Sequence, residues 1–364
     1  MIPPDHSPFP ANNREIGLYL HFPFCRRHCR YCHFTTTRYR SADADDYLKL
    51  LFREIELSAH RELLIRTVYL GGGSPSLLSS PQLETLIKTL RRHFHSFVPE
   101  EVTIEANPDD LSPEWLRAAV HNGFNRISIG VQSLDSRVLR RLGRNHAADT
   151  GLKSISRAAD AGFVNINVDF MIGVPGQTAT GIARQVCALK ELPVTHLSIY
   201  MLEQTPEDTR SRAKSGQQIY VAARDAAEDV GYRRYEVSSF ARPGAECRHN
   251  LTYWRNREYM GIGLSAAGFL DGVDICNTRN MPRYIRGIQA GRPVRTRRRI
   301  SVWQRSLITG LRLAEGVPVS TLQSRLNDLQ PLLEANILLI HQGRLAVAPD
   351  HFLMLNEILG RYVL

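Results

Sequence analysis

The sequence predicts an α/β protein: an incomplete barrel of six βα units followed by a small, mostly helical C-terminal domain. Two observations carry this. Short β-like runs alternate with longer amphipathic stretches from residue 16 to about residue 240, the pattern of a parallel sheet with crossover helices. Almost every unusual residue cluster also falls just after one of those runs, and barrel enzymes place their chemistry at that end of the strands.

Taken in order, the runs at 16–22, 67–70, 102–105, 126–131, 165–171 and 196–201 read as strands. The stretches 43–60, 81–94, 113–122, 136–142, 149–161, 178–189 and 217–230 read as helices, several opening on a Ser, Thr or Asp cap or an early Pro. Four regions follow: a tail over 1–15, the barrel over 16–240, a connecting segment over 241–300 with few regular signals, and a C-terminal domain over 301–364 with a hairpin near 344–347.

The chain has 364 residues, 43% of them apolar, enough to fill a sizeable core. No run of about 18 apolar residues could span a bilayer. The opening MIPPDHSPFPANNRE lacks the charged-then-apolar order of a secretory signal, so a cytoplasmic location is expected. A formal charge of +10 admits nucleic acid, an acidic membrane surface or an anionic ligand as partner. The densest basic stretch, 292–299, has no interleaved aromatics of the kind that stack bases. It reads as a solvated linker, and a nucleic-acid partner is not expected.

Six cysteines do not suggest disulfides, because three are crowded into eight residues while Cys187, Cys247 and Cys276 are scattered. Cys25, Cys29 and Cys32 stand at CxxxCxxC spacing on a loop leaving the first strand, where three sulfurs can converge on one inorganic centre. Three thiolates on a cube of four irons leave one iron open to the amino and carboxylate groups of a small molecule. The alternative is a structural zinc site completed by His28 or His33, although no second ligand pair at zinc-finger spacing accompanies it.

The stretch from Tyr19 through Cys25, Cys29 and Cys32 resembles the radical S-adenosylmethionine (SAM) superfamily, in the branch that holds anaerobic coproporphyrinogen oxidases and HemW-type haem chaperones. Further blocks of the resemblance are Gly71-Gly-Gly-Ser-Pro75, Glu105-Ala-Asn-Pro108, Ile129-Gly-Val-Gln-Ser133, Leu142-Gly-Arg144, Asn167-Val-Asp169, Gly173-Val-Pro-Gly-Gln177 and the ten residues from Tyr235 to Gly244. The resemblance implies a radical-SAM barrel holding a [4Fe-4S] cluster on Cys25, Cys29 and Cys32. It also implies S-adenosylmethionine contacts from Tyr19, Gly72, Gly73, Ser74, Glu105, Gln132, Arg144 and Asp169. The physical chemistry agrees: glycines let backbone and its amides approach a ligand, carboxylates accept from an ammonium or ribose hydroxyls, and an arginine meets a carboxylate.

Within the branch, two features separate this chain from the oxidases. Phe34 stands where they carry a fourth cysteine, and only eighteen residues precede Tyr19, too few for their long N-terminal arm. The segment Cys247-Arg-His-Asn-Leu-Thr-Tyr-Trp254 contains the HNxxYW motif that marks the haem chaperones. His249 could ligate haem iron, Tyr253 and Trp254 could face a porphyrin, and Arg248 could meet a propionate; without the resemblance the same residues read equally well as a polar turn with two core aromatics. Where the family usually reads Ser-Ala-His-Ser, this chain has Ser265-Ala-Ala-Gly268, with Ala267 in place of the histidine.

The resulting expectation is a haem chaperone that delivers haem to respiratory acceptor proteins at the membrane surface, as a monomer or a homodimer. The alternative is a radical enzyme acting on a tetrapyrrole by coproporphyrinogen decarboxylation or haem ring opening, or acting on another substrate.

Overall fold

The structure, a computed structural model, describes residues 14–60, 62–202 and 210–363. Its main sheet begins with six strands that are hydrogen-bonded in chain order and all parallel: β1 (Arg14–Phe22), β2 (Leu63–Gly72), β3 (Ser96–Ala106), β4 (Arg126–Gln132), β5 (Asn165–Ile172) and β6 (His196–Met201). Between and after them run α1 (Ser41–Ser58), α2 (Ser80–His93), α3 (Pro113–His121), α4 (Ser136–Leu142), α5 (Ala148–Asp160), α6 (Ala179–Ala188) and α7 (Arg210–Asp229). The six βα units therefore form as the alternation of patterns requires. Of the predicted tail, residues 1–13 lie outside the described residues, while Arg14 and Glu15 belong to β1.

The register explains why the two faces of the sheet differ. Leu18 aligns with Val68 and Val68 with Val102, while Ile104 aligns with Ile127, Ile127 with Ile166, and Val168 with Leu197. These apolar rows are buried in the main core shared with the helices. Their neighbours in each strand point to the other face, and there the aligned row reads Glu105, Ser128, Asn167, His196. One face is thus hydrocarbon packed on helices, and the other is polar and buried.

The connecting segment is more regular than its sequence suggests. On one edge β7 (Arg233–Arg234) and β8 (Ser239–Ala241) continue the sheet past β6. On the other, β9 (Tyr259–Ile262), β10 (Ala267–Leu270), β11 (Val273–Asn277) and β12 (Arg295–Arg298) extend it past β1, giving twelve strands. These outer strands are four or five residues long; glycines interrupt the apolar residues of YMGI and AGFL, and VDICN and RTRR carry charged or polar residues, so no strand signal stands out. The stretch expected to be a solvated linker contains β12, because Arg295 turns inward to the buried Glu54 carboxylate at 2.9 Å. Glu54 also accepts from Gly263 N–H, Asn277 and the Tyr284 hydroxyl.

Helices α8 (Arg248–Trp254) and α9 (Met281–Gln289) complete the connecting segment. Residues beyond 301 bring α10 (Val302–Gly310), α11 (Gln330–Glu334), α12 (Leu355–Tyr362) and a three-stranded sheet that includes the hairpin Leu338–His341 with Arg344–Val347. They have their own apolar core, centred on Leu307, Leu322, Leu345 and Phe352. No described helix is long and apolar enough to cross a membrane.

Candidate cofactor site

At the C-terminal ends of the parallel strands a cavity of about 570 Å³ is lined by Cys25, Cys29 and Cys32 together with Gly72, Gly73, Ser74, Glu105, Gln132, Arg144 and Asp169. The cysteine loop leaves β1, enters the short strand Phe24–Cys25 and pairs with Thr37–Arg38 before α1 begins. A chain of hydrogen bonds joins two of the thiols across the cavity wall. The Ser74 hydroxyl donates to Cys25 Sγ at 3.4 Å, Asn107 Nδ2 donates to Ser74 Oγ at 2.7 Å, and Arg144 donates to Asn107 Oδ1 at 2.8 Å and to Cys29 Sγ at 3.6 Å. Asn107 was not among the expected site residues, although it lies in the quoted Glu105–Pro108 block.

Among the described residues no three His, Cys, Asp or Glu side chains are gathered tightly enough for a single metal ion; the three thiols instead border a shared opening. Burial pushes the Cys25 thiol up to about 11 and raises Cys32 as well. A bound cation would reverse that, since thiolate ligation favours loss of the proton. The donor set of three soft sulfurs fits an iron–sulfur centre.

The carboxylates lie deeper. Glu105 Oε1 accepts from the Tyr69 hydroxyl at 2.8 Å, and Oε2 accepts from Gly72 N–H at 2.9 Å. Burial outweighs these bonds and raises its carboxyl to about 7. Asp169 accepts from Asn167 at 2.8 Å and from Ser128 at 3.2 Å, and burial raises it too. Two half-buried acids with elevated pKa values at one wall are poised to receive a cation. Gln132 ends β4 with φ of 65°, beside a register shift, and its buried Oε1 has no hydrogen-bond partner. An orphaned acceptor here also suits a ligand that donates hydrogen bonds.

Two expectations are modified. The amides of the glycine turn are used within the fold: Gly72 N–H by Glu105, Gly73 N–H by Phe22 O at 2.7 Å, and Ser74 N–H by Phe24 O at 2.8 Å. The glycines are needed because a Cβ on Gly73 would fall 2.5 Å from Phe24 O, so the turn packs directly on the strand that carries Cys25. Tyr19, in turn, does not line the cavity. Its hydroxyl bonds His21 Nδ1 at 2.9 Å, and its ring lies 6.1 Å from that of Tyr69.

The Cys247–Trp254 segment sits near the opposite end of the sheet. The buried Glu101 carboxylate accepts from the Arg248 and His249 amides at 2.9 and 3.0 Å, capping α8 at the end where helix amides are unpaired. His249 is fully buried; its Nδ1 bonds Thr67 Oγ1 at 2.8 Å and its Nε2 the Tyr253 hydroxyl. Burial, with Arg126 nearby, drives this imidazole down to about 3, so it is neutral. Trp254 Nε1 is buried without a partner, and Arg248 is paired with Glu100. A second cavity of about 690 Å³ opens beside α8, lined by Gly17, Thr67, Arg66, Arg248, Leu251 and Arg255 among others. The His249 ring forms the layer behind Gly17, 3.2 Å from where a Cβ on that residue would be. Ala267 is exposed and pairs across the strands with Cys276.

A parallel sheet with three clustered cysteines after its first strand and a glycine turn after its second is the arrangement of the radical SAM superfamily, and residues 19–186 match that superfamily. The haem chaperone HemW of Lactococcus lactis is 31% identical over 96% of this chain and 97% of its own length, and that of Bacillus subtilis is 32% identical over 95% and 99%. HemW of Escherichia coli is 34% identical over 83% and 84%. The chain belongs to the HemW family. Its fold is also that of the coproporphyrinogen III oxidase HemN from Escherichia coli, with a TM-score of 0.83 at 22% identity over 97% of this chain and 91% of that one.

Proposed function

We propose that this protein is a haem chaperone that holds a [4Fe-4S] cluster on Cys25, Cys29 and Cys32, binds S-adenosylmethionine beside it and hands haem to respiratory acceptor proteins. The observation that carries the cofactor half is the convergence of the three thiols, Glu105, Gln132, Arg144 and Asp169 on one cavity. When bound, the cluster supplies an iron with an open coordination position and a source of electrons. The chain's own residues do the positioning. Arg144 and Ser74 hold two thiols by hydrogen bonds, Glu105 and Asp169 receive the positive and hydroxyl-bearing parts of the cofactor, and the orphaned Gln132 acceptor takes a donor.

The haem half rests on the HemW relatives and on the cavity beside α8, whose size lies within the roughly 300–1,000 Å³ of small-molecule pockets. Arg66, Arg248 and Arg255 border it, each ion-paired with a glutamate of the same wall (Glu15, Glu100 and Glu315), so a propionate binds them in exchange for those carboxylates, and Leu251 and Leu313 give it apolar wall. His249 does not line that cavity, and both of its ring nitrogens are held, by Thr67 and Tyr253, so it reaches iron only by giving up one of these bonds.

The test is anaerobic reconstitution with iron and sulfide, followed by titration with haem and by incubation with coproporphyrinogen III and reductant. Saturable haem binding with a Soret shift, and no decarboxylation, is the expected result. Multiple turnovers to protoporphyrinogen IX would overturn the chaperone reading in favour of a radical enzyme. Absence of saturable haem binding would end it outright.

A further inference from the structure

The wall of the cavity beside α8 narrows the choice of an iron ligand. Haem iron is held in proteins by histidine, cysteine, methionine or tyrosine. Among the described residues lining this cavity there is no histidine, cysteine or methionine, and Tyr235 is the one tyrosine. His249 and Cys247, from the segment expected to meet haem, are both fully buried and do not border the opening. Tyr235 follows β7 and is half-buried. Its carbonyl accepts from Ala314 N–H at 2.9 Å, which seats it beside Leu313 and Ala314 of the same wall.

The hydroxyl of this tyrosine is backed by an oriented base. His196 Nε2 lies 2.9 Å from the Tyr235 hydroxyl oxygen, and His196 Nδ1 lies 2.6 Å from Asn167 Oδ1. Asp169 fixes the direction of the Asn167 amide by accepting from Nδ2 at 2.8 Å, while Oδ1 also accepts from the Ser198 hydroxyl at 3.0 Å. An amide oxygen only accepts, so the imidazole carries its proton on Nδ1 and presents a bare Nε2, to which Tyr235 donates. Burial, with Arg126 nearby, keeps that imidazole neutral. From the other side Cys247 N–H donates to the Tyr235 oxygen at 3.3 Å, a contact that favours the charged form of a phenol. A tyrosine buried for packing needs one partner for its hydroxyl. Here a third group orients a base, the base draws on a weak acid, and the series ends at an open cavity.

We propose that Tyr235 is the protein's ligand to ferric haem iron in this cavity, bound as the phenolate. The inference rests on the haem reading of the cavity given above. As the oxygen–iron bond forms, the Tyr235 O–H bond breaks and its proton passes along the existing hydrogen bond to His196 Nε2. The phenolate and the imidazolium then carry opposite charges in contact, and the iron keeps its oxidation state. His196 touches no iron and is a positioning residue. His249 keeps its bonds to Thr67 and Tyr253 throughout, which gives the motif histidine a structural role in holding α8 against the sheet.

The experiment is titration of the reconstituted full chain with ferric haem, followed by absorption and resonance Raman spectroscopy. Wild type is expected to show a phenolate-to-iron charge-transfer band and the ring modes of a bound phenolate. Tyr235→Phe keeps the ring and should lose both signals. His196→Gln should keep the band but shift it, and should weaken haem binding on the order of 10- to 100-fold, as loss of a partner to a metal ligand does. A packing role for His196 would leave the band where it is. His249→Gln should retain the band in place, with folding of all variants checked by circular dichroism. If Tyr235→Phe does not fold, wild type grown with ring-deuterated tyrosine gives the answer, since its phenolate modes must shift. Saturable haem binding with no phenolate band, a band that survives in Tyr235→Phe, or modes that ignore the label overturn the ligand assignment and leave the haem reading standing. Absence of any saturable binding overturns the haem reading itself and the assignment with it.

Discussion

Glu105→Gln should make the apo protein more stable at alkaline pH while impairing its cofactor site. Burial raises the Glu105 carboxyl from an ordinary 4.5 to about 7, so the folded state holds this proton more tightly than the unfolded chain. The sign follows by linkage: the penalty is absent below about 4.5, grows as pH rises toward 7 and is fully present above it. A displacement of this size corresponds to about 3 kcal/mol at pH 8 and under ~1 kcal/mol at pH 5. Against it, glutamine keeps one of the two hydrogen bonds, from Tyr69 or from Gly72 N–H, and losing the other costs about 1 kcal/mol. The variant is therefore expected to be roughly 2 kcal/mol more stable than wild type at pH 8 and nearly equal at pH 5. Urea titrations of the two apo proteins, followed by tryptophan fluorescence under anaerobic conditions, measure this. Calorimetry on the reconstituted variant should show S-adenosylmethionine bound on the order of 10- to 100-fold more weakly, for loss of a charge-assisted bond. A stability difference that does not change between pH 5 and 8 would refute the reasoning, since a buried acid is its only source.

Serine at Cys25, Cys29 and Cys32 together should abolish cluster uptake, measured by iron and sulfide content and by the charge-transfer absorption, while serine at Cys187 and Cys276 should leave it intact. Gly73→Ala would press a methyl group against Phe24 O, displacing the strand that carries Cys25; the same iron assay should fall sharply although far-UV circular dichroism stays close to wild type. His249→Ala leaves the buried Thr67 and Tyr253 hydroxyls without their partner and should cost about 2–4 kcal/mol in urea titrations. Because His249 is held near 3, well under its ordinary 6.5, wild-type stability is full above pH 6.5 and is lost as pH falls toward 3; His249→Gln should flatten that acid limb, and an unchanged limb would assign it to other groups.

Much of the site was legible because its signals are local. The crowded thiols at 25, 29 and 32 and the glycines at 71–73 each advertise themselves within a few residues, and the strand ends where Glu105, Gln132 and Asp169 stand follow from the period of the apolar residues. What was not legible depends on contacts between distant parts of the chain. Nothing local to Asn107 says that it links Ser74 to Arg144, and nothing near Gly73 says that Phe24 packs against it. The HNxxYW residues are a similar case: the motif suggests a haem face, whereas in the fold Glu101 caps the helix and Thr67 and Tyr253 take both nitrogens of His249.

The basic stretch at 292–299 marks the boundary most clearly. By itself the sequence determined its charge, five arginines in eight residues with no acid among them. Only the tertiary structure decided that Arg295 would turn inward to Glu54, 241 positions away, while its neighbours stayed in solvent. The physical reason is that a local pattern fixes a residue's own conformational preference, but the environment of a charge is set by whichever distant group the fold brings beside it, and a buried carboxylate repays desolvation only where such a partner arrives.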